Sequence, residues 1–78
     1  MEDLEIFVDS ARGSLKLQVP KTTKIQDIID VAIKKFNMNA QEVFELVYDG
    51  VSLRPEGTLG NTIKAGDHFN LVRETRVG

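Results

Sequence analysis

Few side chains in this chain are equipped for chemistry. His68 is the only histidine, and there is no cysteine. One imidazole without thiolates or a neighbouring set of carboxylates cannot supply the three or four ligands of a metal centre, so His68 reads as a solvent-facing strand residue. No serine or threonine stands in the local pattern of an activated nucleophile, and no glycine-rich phosphate loop or dinucleotide motif is present. Asp27 and Asp30 fall close together on a helical stretch, where exposed carboxylates form a solvated face that suits the helix dipole. The chemistry therefore excludes more than it offers: no enzymatic activity, no metal and no cofactor are expected.

Binding is what remains, and charge narrows its class. Ten Lys and Arg stand against 12 Asp and Glu, a net charge of -2. Such a balance gives no general attraction to phosphate backbones or anionic lipid, so nucleic acid and membrane are poor partners and other proteins are the expected ones. No window approaches the roughly 18 to 20 apolar residues that span a bilayer. The start, MEDLEIF, is acidic and runs straight into a strand, without the basic residues and apolar stretch of a secretion signal. With cysteine absent as well, an intracellular location, cytoplasm or nucleus, is expected.

The elements that must position a binding surface follow from periodicity. With 78 residues the chain forms one domain, held by packing alone. Leu4, Ile6 and Val8 alternate with Glu5 and Phe7, and after a turn marked by Ser10, Arg12 and Gly13 the alternation returns in Leu15, Leu17 and Val19. Two runs of period two around a short glycine-containing loop predict a β-hairpin with one buried face, ended by Pro20. Thr23 followed three residues later by Gln26 has the form of a capping box, and Ile25, Ile28, Ile29, Ala32, Ile33 and Phe36 then recur at helical spacing. A helix is expected there, with Asn37 as its left-handed cap and a turn over Asn39 to Glu42.

A strand over Phe44 to Tyr48, an Asp49-Gly50 turn and a short strand near Val51 to Leu53 come next. The segment RPEGTLGNTIKAGD is dense in turn formers and is expected to be irregular, pinned to the core by Leu59 and Ile63. The final run, His68 to Arg73, puts Phe69 and Leu71 on one face and His68, Asn70 and Val72 on the other. The order ββαββ with one further strand predicts an α+β domain with one helix packed across one face of the sheet.

The sheet face turned away from that helix is the candidate binding surface. Phe7, Val47 and Val72 are expected to be exposed and close together, rimmed by Glu5, Lys16, Gln18, His68 and Asn70. An apolar patch ringed by polar groups marks a protein contact. The plainer alternatives are three unrelated surface residues, or a patch partly covered by the tail.

Several strings carry a resemblance: EIFV near the start, KIQDII opening the helix, YDGVSL at the tight turn, the following GTL, and LVRETRVG at the end. In order and spacing they are similar to the ubiquitin-like β-grasp family, from Leu4 to Gly78. The resemblance implies a mixed ubiquitin-like sheet with one helix across it, a domain over residues 1–73 and a flexible tail over residues 74–78. It further implies that receptors grip the exposed sheet face at the positions of Ala11, Val47, Asn70 and Val72. Ala11 replaces a leucine and Asn70 a histidine, and Val51 stands where ubiquitin has a lysine, so ubiquitin's own receptors are expected to bind poorly.

The same resemblance places Leu71, Val72, Arg76 and Gly78 in register with the family's tail, with Val77 in place of a glycine. In the family the terminal glycine carboxylate is activated as an acyl-adenylate and passed to a cysteine, or to sulfur in the sulfur-carrier branch. Glycines suit a narrow activating channel because they lack Cβ, and Val77 adds a β-branched side chain there. Three functions stay open. The first is a non-catalytic protein acting by protein–protein contact through the sheet face. The second is a covalent modifier or sulfur carrier activated at Gly78, with Arg76 and Val77 beside it and an activating enzyme as partner. The third is a ubiquitin-like domain of a larger protein.

Overall fold

A computed structural model describes residues 3–60 and 62–74. Strand β1 (Asp3–Ser10) and strand β2 (Gly13–Pro20) pair in an antiparallel hairpin across a two-residue loop, with Ser10 opposite Gly13. Helix α1 (Ile25–Lys35) follows, then β3 (Phe44–Tyr48), β4 (Val51–Ser52) and β5 (Asp67–Arg73). The five strands form one mixed sheet in the order β2-β1-β5-β3-β4. The last strand thus enters the middle, parallel to β1 and antiparallel to β3. This is the α+β arrangement the periodicity predicts.

Alternation decides which side of each strand is buried. Ile6, Val8, Leu46, Phe69 and Leu71 point to the helix, and Ile25, Ile28, Ile29 and Ala32 of α1 meet them, all buried. Leu59 and Ile63 close the same core from the irregular segment between β4 and β5. At about 25 cal/mol per Å² of apolar surface, a single such core is what a chain of this size has to oppose its conformational entropy. Among the described residues no charged or polar side chain is buried, and no buried side-chain nitrogen or oxygen lacks a partner.

The ends of α1 divide between expectation and correction. After the C-cap Phe36, Asn37 adopts φ 56°, and the Asn37 and Met38 N–H groups donate to the Lys34 and Ile33 carbonyls. These paired bonds are a Schellman motif, so Asn37 supplies the left-handed residue that ends the helix. At the other end the expected Thr23–Gln26 capping box is not formed. The N-cap is Lys24, with no side-chain cap, and the Ile25 and Gln26 N–H groups donate to the Gly57 and Pro55 carbonyls, each at 2.9 Å. The orphan donors of the first turn are thus satisfied by the backbone of a distant loop. Gln26 Nε2 is left to reach forward to Asp30 at 2.8 Å.

The Asp49-Gly50 turn has φ 52° and 79°, both positive, as a two-residue type I′ hairpin requires. Residues 39–42 form the expected turn, with Asn39 Oδ1 accepting from Gln41 N–H and the Asn39 carbonyl from Glu42 N–H.

Candidate functional site: the outer face of the sheet

Because α1 covers one side of the sheet, the odd-numbered residues of β1, β3 and the even-numbered residues of β2 and β5 face away from it. One row crosses all five strands: Ser14, Asp9, Asn70, Val47 and Ser52. A second places Lys16 opposite Phe7 and Phe7 opposite His68. A third sets Val72 against Glu45. The expected apolar residues Phe7, Val47 and Val72 and the rim residues His68 and Asn70 therefore all lie on this one face.

They do not form one continuous apolar surface. Val47 and Val72 are diagonal neighbours across β3 and β5, within reach of each other's side chains. Phe7 is two strands from Val47, with β5 between them, and is half-buried because the His68 ring stacks on it, centroids 4.8 Å apart and planes 15° from parallel. The sequence had set Phe7 beside the valines; the central position of β5 separates them with His68 and Asn70. In its place stands Val43, just before β3, whose carbonyl accepts from Glu74 N–H at 2.8 Å and so continues the β3–β5 ladder. Val43 is 58% exposed and Val72 38%. Val43, Val72 and Val47 form a zigzag of aliphatic side chains along two strands. The only sequence signal for Val43 was its parity with Val47, obscured by the turn before it.

Polar groups around the valines are held in place. Glu45 Oε2 accepts from Ser52 Oγ at 3.0 Å. Asp9 accepts from Ser14 Oγ and lies 2.8 Å from His68 Nδ1. These bonds, Ser14's first and His68's second, hold the Asp9 carboxyl below its ordinary range. Since an ionised carboxylate only accepts, Nδ1 is the donor, which fixes the ring's orientation over Phe7. Lys16 Nζ sits 3.7 Å from Glu5. This exposed pair contributes at most about 1 kcal/mol. Among the described residues no group of His, Cys, Asp or Glu is arranged to hold a metal ion, and no helix is long and apolar enough to cross a membrane.

A shallow cleft of about 570 Å³ opens beside the valines, between the β1–β2 turn and the chain after α1. Ala11 and Val72 both line it, with Met38, Phe44 and Leu71 giving it an apolar floor. Arg76, Val77 and Gly78 lie outside the described residues.

A family model described as ubiquitin-2 like Rad60 SUMO-like matches residues 4–72, the whole helix and all of the sheet but its first and last residues. The chain belongs to this ubiquitin-like family. Comparison with curated proteins returned no match. Among solved structures, the fold is similar to one described under molecular mimicry of SUMO promoting DNA repair, with TM-score 0.81, 18% identity and coverage of 92% of each chain. It is similar to the ubiquitin of Caldiarchaeum subterraneum at TM-score 0.80 and 22% identity, covering 97% of this chain and 99% of that one. A design based on ubiquitin gives TM-score 0.81 at 22% identity, covering 99% and 96%. At these identities the structures share the β-grasp fold with this Rad60 SUMO-like chain, and a fold by itself does not carry an activity.

Proposed function

We propose that this ubiquitin-like domain is a non-catalytic module that binds other proteins through the outer face of its sheet. The carrying observation is the valine zigzag: Val72 lies diagonal to both Val43 and Val47, on the side that α1 leaves uncovered. Exposed apolar side chains clustered within a polar rim mark contact surfaces. Membership of the Rad60 SUMO-like family and the relative described as mimicking SUMO in DNA repair support a reading in which a protein that recognises SUMO accepts this domain. An intracellular setting, cytoplasm or nucleus, goes with that reading.

The test is Val47→Asp, which forces a charge into the contact while its half-exposed position leaves the core untouched. Affinity capture from the native cells should lose the partner while the amide spectrum remains that of the folded domain. Undiminished capture by the folded variant counts against the face.

A second reading rests on the sequence Arg76-Val77-Gly78, which resembles the tail that family members use for covalent transfer. It requires an activating enzyme that accepts Val77, and either a protein modifier or a sulfur carrier is its outcome. Intact mass measurement of the protein from its native cells decides it: Gly78 in an isopeptide bond or as a thiocarboxylate supports transfer, and a longer parent chain supports a domain of a larger protein.

A further inference from the structure

The valines do not stand on a neutral face. Outward-pointing positions of the sheet carry four carboxylates, Asp3, Glu5, Asp9 and Glu45, against one lysine, Lys16. The chain as a whole is nearly balanced, 12 acidic against 10 basic residues, so this asymmetry belongs to the face. Two arginines line the clefts at the Val43 and Val72 end of the zigzag, and each is already engaged: Arg73 pairs with Glu42 at 3.1 Å, and Arg12 Nη1 donates to the Phe36 carbonyl at the end of α1.

From this we infer that the outer face is built for a basic protein surface, one that presents aliphatic side chains flanked by Lys or Arg. The inference rests on the proposed docking face and specifies its partner's chemistry. Aliphatic groups would pack on Val43, Val47 and Val72, and a cation beside them would meet Glu45, directly opposite Val72. Glu45 is already oriented by Ser52, so less side-chain freedom is lost when it meets a second donor. Glu5 and Asp9 extend the negative field across β1, where Lys16 offsets part of it and His68 is a hydrogen-bond partner of Asp9. The same field repels acidic surfaces and phosphate backbones, which selects by exclusion as well as by attraction.

The experiment titrates the isotope-labelled chain with an amphipathic leucine–lysine peptide and, separately, with its leucine–glutamate counterpart, following amide shifts. Shifts at Val43, Glu45, Val47, Asn70 and Val72 with the basic peptide alone, weakening with added salt, are expected. The variant Glu45→Lys, at a half-exposed position directly opposite Val72, should weaken the basic peptide by about tenfold and admit the acidic one. Equal shifts on this face from both peptides would leave the docking face standing and overturn its preference for bases. Shifts confined to α1, or none from either peptide, would overturn both.

Discussion

The Tyr48 hydroxyl donates to Asp67 Oδ2 at 2.7 Å, and the same oxygen accepts the Lys64 backbone N–H at 2.8 Å, tying the end of β3 to the entry of β5. The Lys64 bond first, and the Tyr48 bond second, hold the Asp67 carboxyl below its ordinary 3.8. Asp9 is lowered as well. Because each folded carboxyl gives up its proton at lower pH than the unfolded one, its stabilisation is complete above the unfolded value. It is lost as pH falls through the lower folded value. Thermal unfolding followed by circular dichroism should therefore show a midpoint that drops steeply once pH falls below 3.8. Asp67→Asn should make that drop shallower. An unchanged acid slope in the variant would show that this junction is not the source.

Leu46 is fully buried at the centre of β3 and faces the helix. Leu46→Ala removes apolar contacts and leaves a cavity that a close-packed core refills only in part, at a cost of about 2–5 kcal/mol. Urea unfolding should show a lower midpoint with an unchanged slope. A loss below about 0.5 kcal/mol would mean the core relaxes around this position.

Asn37 ends α1 at φ 56°, where a β-branched side chain meets the backbone and glycine does not. Asn37→Val should cost about 1–2 kcal/mol. Asn37→Gly should stay within about 1 kcal/mol of the parent chain. Equal behaviour of the two variants in denaturant titrations would show that the cap conformation is not what this position contributes.

What the sequence made legible was local. The hairpin of β1 and β2, the stripe on α1, the Asp49-Gly50 turn and the left-handed Asn37 are each specified within a few residues, and each forms as expected. What it hid was set by long-range pairing. Nothing in the strings around Asp9 and His68 announces that residues 59 positions apart will share a hydrogen bond, because the parallel β1–β5 register arises only when β5 enters the middle of the sheet. That register also set His68 and Asn70 between Phe7 and Val47, and gave Val43 the place beside Val72 that the sequence had given to Phe7. The capping pattern at Thr23 and Gln26 misled for a related reason. Carbonyls of residues 55 and 57 reach the helix N-terminus, and a side-chain cap is no longer needed.

The most direct measurement is site-specific photo-crosslinking in the native cells. A photoreactive amino acid is placed at Val72 on the outer face, or at Val31, an exposed valine on the far side of α1. Partner proteins covalently trapped from position 72 and not from position 31, with the trapping lost when Val47→Asp is added, is the result this account predicts. Trapping of the same partners from position 31, or from position 72 regardless of Val47→Asp, would contradict the outer face as the binding surface.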